Sequence, residues 1–420
     1  MKQKLIGLCV SLAMAFCPAA FAATDIEIET AITDGVAWLA GQQNPDGSWP
    51  HASYPVATTC FALTKLQHRA YELGYPSPFD PAYDYHQNVI DGWQYVLVND
   101  TRTFLQAPLD VQDHTAGATG TMDDPDVNGN DYGVYFQDNS SHINYTTGVC
   151  LMALWASGTP SRPNDGGLDY NANSSPDTFL ELAQEAVEWL AWSQNDGGSG
   201  EGSWDYLPSD NDLAATYDGS IGGYAALGLA LGEAFGANVP AWVKTEMEAS
   251  FNNMQCLTPG ANYGGMSYRT NCNWVNQYKT GHLLWGLGFA GIPQTDQRFQ
   301  DALAYIETHW RDVGGGTTAT GWGYNTSPAD YQAMFVLMKG FEALGIELID
   351  TDGDTERDDD WFNQDPPLTP ADDFASVLVA QQNTDGSWPS CNWGTVELCS
   401  TWALLTLERD IPEFEPVLMP

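Results

Sequence analysis

Tyr145-Thr146-Thr147-Gly148 and Tyr278-Lys279-Thr280-Gly281 share a Y-x-T-G pattern, and each opens an apolar helical run. His282 follows Tyr278 by one helical turn, and Asp218 precedes a third such run. A tyrosine, a histidine and a carboxylate within reach of one another could remove and return a proton, as a β-elimination requires. Tyr278, His282 and Asp218 are therefore the catalytic candidates. A histidine inside an apolar helix also suits a packed, hydrogen-bonded role, and that reading stands beside the first. His142, Tyr145, Tyr217, Lys279, Asp330, Tyr331, Trp393 and Glu397 lie within a few residues of the starts of apolar helices. Helix N-termini present free N–H groups and partial positive charge. Aromatic rings with interspersed polar groups suit a sugar or an apolar polycyclic ligand. The same tyrosines could instead fill the seams between helices, with their hydroxyls capping helix ends.

Two acidic loops offer a different chemistry. Asp124, Asp126 and Asn128, followed by Gly129, place oxygen ligands at alternate positions before a sharp turn, the front half of a calcium loop. The acidic residue expected at the end of such a loop is Tyr135 instead, so an ion there would need ligands from elsewhere. Asp350, Asp352, Asp354 and Asp358 form the second loop. Carboxylate oxygens at this density suit Ca²⁺, whereas a solvated acidic linker would have the same composition. No zinc-ligand pattern is present.

These residues need a scaffold, and the chain repeats itself. Residues 42–50 read QQNPDGSWP and residues 381–389 read QQNTDGSWP, identical at eight of nine positions. Apolar residues at helical spacing precede each, and a second apolar helix follows each, at Phe61-Ala62-Leu63 and Trp402-Ala403-Leu404. Four weaker copies lie between them, with turns at Gly133-Val134-Tyr135, Gly202-Ser203-Trp204, Gly265 to Tyr268 and Gly321 to Tyr324. One such hairpin cannot bury its own apolar face, but stacked neighbours can. An open solenoid needs atypical end repeats; here the two ends carry the fullest consensus. That predicts an all-α fold, a single α/α toroid of six helical hairpins, with the first repeat packed against the last. Thr369-Pro370-Ala371-Asp372 reads as a capping box opening the last hairpin.

Helix, Q-x-x-x-D-G-x-W turn, then a helix opening on Ser/Thr and an aromatic-Ala-Leu run resembles the prenyltransferase/squalene-oxidase repeat of terpenoid cyclases and protein prenyltransferases. The resemblance is specific at 38–66 and 377–407, weaker between, and spans nearly the whole chain after its first residues. It implies six inner helices, the second of each pair, around an axial cavity. The chemistries of that superfamily do not carry over residue by residue. Its D-x-D-D cyclase acid is matched neither by Asp352-Gly353-Asp354-Thr355 nor by Asp123-Asp124-Pro125-Asp126. Its D-x-C zinc ligands are echoed only by Glu397-Leu398-Cys399, with no later histidine. The C-G-E-Q thioester of the complement-type toroids is absent. Three readings stay open: a toroid binding a neutral or apolar ligand, a glycan-active enzyme such as a polysaccharide lyase, and a cyclase-like enzyme with a different acid.

Residues 1–22 read as a signal peptide: Lys2 and Lys4, an apolar run from Leu5 to Phe16, then an Ala20-Phe21-Ala22 cleavage site. The expected mature chain is 23–420, with acidic insertions near 99–143 and 348–368, in a periplasmic or extracellular setting. With 14 Lys and Arg against 55 Asp and Glu, a net charge of −41, nucleic acid and anionic membranes are poor partners. A small-molecule or glycan ligand is expected, and no membrane insertion. Export permits disulfides. Cys256–Cys272 and Cys391–Cys399 each bracket one loop and are the expected pairs, while Cys60 and Cys150 read as small buried hydrophobes.

Overall fold

The computed structural model describes residues 22–97, 104–109, 124–138, 141–170, 174–195, 200–208, 217–314, 319–365 and 370–409. The expected signal peptide therefore lies outside the described residues, apart from Ala22. Twelve helices are present among the described residues, and they alternate in character. α1 (Asp25–Gly41), α3 (His86–Leu97), α5 (Phe179–Trp192), α7 (Ala241–Met254), α9 (Gln297–Thr308) and α11 (Phe374–Gln381) are outer helices. α2 (Pro55–Glu72), α4 (Ile143–Ala156), α6 (Gly219–Phe235), α8 (Gln277–Phe289), α10 (Tyr331–Ala343) and α12 (Val396–Glu408) are inner ones. In α3 only Val89, Gly92, Trp93, Val96 and Leu97 are buried, one stripe of the helix. In α4 every residue except Tyr145 and Trp155 is buried. A helix buried on nearly all faces must lie inside the assembly.

The inner helices form a closed ring. α2 packs on α4, α4 on α6, α6 on α8, α8 on α10 and α10 on α12, and α12 returns to α2. The seam between the first and last repeats has specific bonds. The Gln382 amide donates to Ala31 O at 2.8 Å, Ala23 N to Ser376 Oγ at 3.2 Å, and Lys65 Nζ to Glu408 Oε1 at 2.5 Å.

The repeat motif is a stitch between neighbours. The amide of Gln43 donates to Gly47 O in its own turn and to Asn88 O in the next outer helix. Gln194 links Gly202 O to Val243 O, and Gln255 links Gly264 O to Arg298 O, in the same way. Gln382 links Gly386 O to Ala31 O, so the last repeat uses the device on the first. The turn glycine must be glycine for two reasons. Gly386 has φ +93°, and a Cβ there would lie 2.5 Å from Asp34 O of α1. The turn tryptophan fills its own hairpin: the indole N–H of Trp49 donates to Leu39 O and that of Trp388 to Leu378 O.

The Y-x-T-G pattern also has a packing role. Thr147 Oγ1 accepts from Phe136 N and Thr280 Oγ1 from Met266 N, as Thr59 does from Trp49 N and Ser400 from Trp388 N. Gly148 lets α4 cross α6 closely, since a Cβ there would lie 2.2 Å from Tyr224 O.

Three expectations change. Gly133-Val134-Tyr135 is not a turn: it lies in strand β2 (Tyr132–Phe136), paired antiparallel with β1 (Phe104–Pro108), because the long insertion here folds back along itself. A second short pair, β3 (Leu348–Ile349) and β4 (Asp359–Asp360), closes the other acidic insertion. The cap of α11 is Asp373, which accepts from Ser376 N, and Thr369 lies outside the described residues. Cys60 and Cys150 are not free hydrophobes: they form a disulfide between α2 and α4, whose close packing brings their Cα atoms to 5.1 Å. Cys256–Cys272 and Cys391–Cys399 are bonded as expected. No described helix is long and apolar enough to cross a membrane.

Candidate ligand-binding site

All six inner helices run their N-terminal ends to one side of the ring, and a cavity of about 450 Å³ opens there. Tyr54 comes from the entry to α2, His142 and Tyr145 from α4, and Ser220 and Ile221 from α6. Tyr278 and Lys279 come from α8, Asp330 and Gln332 from α10, and Leu398 and Trp402 from α12. Loop residues Tyr206, Tyr268, Trp274, Asn276, Asn392 and Trp393 complete the wall. The axis is plugged below: the Phe61 ring meets those of Tyr224, Phe335 and Trp402 edge-on, at centroid distances of 5.8–6.1 Å. At the mouth Trp393 and Trp274 are 68% and 44% exposed, both with positive φ. The cavity is thus a bowl with an aromatic rim.

Of the sequence candidates, His142, Tyr145, Tyr278, Lys279, Asp330 and Trp393 line this bowl. The others do not. Tyr217 is buried and its hydroxyl accepts from Thr270 N. Tyr331 is fully buried and donates to Gln381 Oε1. Glu397 lies outside the lining. Asp218 is fully buried as the cap of α6, with Oδ1 accepting from Ser220 N at 2.8 Å and Ile221 N at 3.3 Å. His282 lies behind the wall between the rings of Tyr224 and Tyr278, 4.9 and 5.1 Å away.

The electrostatics follow from burial. Burial and then the neighbouring Lys279 push His282 down to about 3, so it stays neutral at ordinary pH. Burial raises the phenols of Tyr145 and Tyr278 well above the usual tyrosine range, helped by other phenols and carboxylates nearby. The Gln332 amide faces both Tyr224 OH (3.2 Å) and Tyr278 OH (3.3 Å). Burial lowers Lys279 to about 8 against the pull of Asp218 and Asp330. It is the only cation in the lining, and no ion pair forms with it among the described residues. Asp330, the only carboxylate in the lining among the described residues, caps α10 by accepting from Ala333 N. His142, in the left-handed region at φ +73°, is wedged between Tyr54 and Tyr206, with Nε2 3.3 Å from Tyr54 OH.

The sequence reading missed Tyr54, Ser220, Asn276, Gln332 and Trp402, although each is within a few residues of an inner-helix start. Applying the N-terminal rule to all six repeats would have found them. Tyr206, Tyr268 and Trp274 arrive from loops and gave no periodic signal.

The two acidic loops fold alike. Asp126 Oδ1 accepts from Gly129 N, and Oδ2 from Asp131 N; Asp350 Oδ1 accepts from Gly353 N, and Oδ2 from Thr355 N. The first turn is therefore built on Asp126, Asn128 and Asn130, with Asp124 at its entrance accepting from Asp126 N. In the second, Asp350 and Asp352 gather with Asp359, their oxygens within 4.8 Å of one another, rather than with Asp354 and Asp358.

No protein-family model matches this chain, and no curated protein matches it. Among solved structures it is similar to the type II terpene cyclase MstE from Scytonema. The apo enzyme is 12% identical with a TM-score of 0.48, over 91% of this chain and 98% of that one. A variant in complex with geranylgeranyl dihydroxybenzoate is 13% identical with a TM-score of 0.48, over 91% and 97%. The likeness is one of fold alone, and the closed ring rests on the helix contacts described above.

Proposed function

We propose that this protein binds a neutral glycan, by a chain end or a short segment, in the axial bowl. The observation that carries this reading is the rim: two tryptophans, Trp393 and Trp274, stand exposed above a wall of amides, hydroxyls and one amine. Flat aromatic faces accept the C–H faces of sugar rings, while Asn276, Asn392, Gln332, Ser220 and Lys279 offer hydrogen bonds to hydroxyls. A polyanionic substrate fits poorly, because Lys279 is the only cation in the lining among the described residues, in a chain whose net charge is −41. Proton transfer through Tyr278, His282 and Asp218 fits poorly as well. Two of the three lie off the wall, and the Tyr278 phenol holds its proton. An isoprenoid would favour a closed, dry cavity over an open bowl whose largely aromatic wall carries amides, hydroxyls and an amine and whose rim is exposed.

Calorimetric titration with a panel of neutral oligosaccharides, a uronate oligomer and a polyprenol in detergent tests the proposal. Saturable binding of a neutral oligosaccharide is expected. Binding of the polyprenol alone overturns it in favour of the isoprenoid reading. Unsaturated, ultraviolet-absorbing products from the uronate overturn it in favour of a lyase.

A further inference from the structure

Lys279 stands where an ammonium is poorly served. It is the third residue of α8, in the turn capped by Asn276, at the positive end of the helix dipole. The side chain is 3% exposed and borders the bowl, with Nζ 6.0 Å from the centre of the Tyr278 ring. Elsewhere the chain treats its lysines differently: Lys65 pairs with Glu408 and Glu72, Lys244 pairs with Glu233, and Lys339 lies over the Phe335 ring. Lys279 enters no ion pair among the described residues, in a chain of 55 acidic side chains against 14 basic ones. Asp218 and Asp330 act on it from beyond ion-pair distance, while each caps a neighbouring inner helix. A neutral amine has none of these difficulties and keeps its lone pair. Burial lowers the group to about 8, so a share of it is free base at neutral pH.

We propose that the Lys279 amine condenses reversibly with the aldehyde at the reducing end of a glycan seated in the bowl. This rests on the glycan reading above and names the part of the glycan that is held. The axis is plugged below by Phe61 and the rings around it, so a chain end enters where a continuous chain could not run through. The Nζ lone pair attacks the aldehyde carbon of the opened sugar, and the carbonyl electrons move to oxygen. That oxygen gains the protons shed by nitrogen and leaves as water, so a C=N bond replaces C=O and no oxidant or reductant is consumed. The protonated imine is a cation, and Asp218 and Asp330 supply its counter-charge. The same two carboxylates repel a carboxylate or phosphate ligand, which leaves a neutral carbonyl as the fitting partner.

The test incubates the full chain with benzaldehyde, or with maltotriose, cellotriose or xylotriose, in sodium cyanoborohydride. The reagent turns any imine into a stable secondary amine, which peptide mass spectrometry locates. Benzaldehyde is expected to modify Lys279 about tenfold faster than Lys244, whose side chain is 27% exposed, because more of Lys279 is free base. Lys279→Met is expected to lose that adduct, and Lys244→Met to keep it. A trisaccharide that binds in calorimetry is expected to be trapped at Lys279. Its alditol, which has no aldehyde, is expected to escape trapping and to bind roughly fivefold more weakly. Lys279→Arg, which keeps the charge but forms no imine, is expected to bind sugar and alditol alike. The proposal is overturned if a trisaccharide binds wild type yet leaves Lys279 unmodified, if sugar and alditol bind wild type alike, or if benzaldehyde prefers Lys244. Benzaldehyde trapped at Lys279 with no trisaccharide bound overturns the glycan reading, and with it the sugar as the source of the carbonyl.

Discussion

Lys279 is held in the fold at a cost. Its amine is 3% exposed, and burial lowers it to about 8. Below that pH the ammonium is carried in both the folded and unfolded chains, and the desolvation cost is fully present. As pH rises from about 8 towards the ordinary lysine value, the folded amine is already neutral while the unfolded one is not, so stability increases. Lys279→Met is therefore expected to stabilise the protein at pH 7 by about 1–3 kcal/mol, with the gain fading near pH 10, as thermal melts at both pH values would show. A residue kept against stability at the wall of the bowl supports the proposal that Lys279 takes part in binding. Trp393→Ala removes the exposed face at the rim. It is expected to weaken glycan binding by about 2 kcal/mol, roughly thirtyfold in Kd, with little change in Tm; calorimetry and a melt check both halves. At this scale the sequence was readable at Tyr145, Lys279, Asp330 and Trp393, which sit near the starts of inner helices and line the bowl. It was misleading at Tyr217, Asp218, His282 and Tyr331, because one residue's rotation around a helix start decides between wall and core. A sequence gives the position and not the rotation.

The stitch belongs to the elements. Gln382 donates to two backbone carbonyls, one in its own turn and one in α1. Gln382→Ala leaves both unsatisfied and is expected to cost roughly 1–3 kcal/mol, measured by urea unfolding, and Gln43→Ala a similar amount. The equivalence is the prediction: a last repeat that stitches to the first as tightly as the first stitches to the second. Two nonapeptides identical at eight of nine positions made this hairpin legible, since glutamine, glycine and tryptophan each have a fixed task in it. The second repeat was misread because its turn is replaced by an insertion that pairs as β1 and β2, and strand pairing across a long gap leaves no local pattern. Cys60–Cys150 was missed for a related reason. Each cysteine sits inside an apolar helix, and only the helix crossing brings them together.

At the scale of the molecule, the ring must close without strain between residues more than three hundred positions apart. Lys65 on α2 and Glu408 on α12 form an ion pair at 2.5 Å with both side chains almost fully buried, and His68 approaches the same carboxylate at 3.2 Å. Burial alone would raise the Glu408 carboxyl, but Lys65 and His68 outweigh it and hold the group below its usual value. Its contribution to stability is therefore present above the ordinary glutamate range and lost as pH falls through the lowered one. Glu408→Ala leaves buried Lys65 with the longer pair to Glu72, at 3.5 Å, and is expected to cost roughly 3 kcal/mol near neutral pH; in melts at decreasing pH, the gap to wild type should narrow below about 4.5. Closure in turn brings six helix N-termini to one opening, which no open stack of the same hairpins would do. The claim that this opening is the place of binding is tested most directly by a crystal structure with the tightest-binding oligosaccharide from the titration. The expected result is a sugar ring stacked on Trp393, with hydroxyls within hydrogen-bond reach of Asn276, Asn392 or Lys279. A sugar bound elsewhere on the ring, with the bowl holding only solvent, would contradict it.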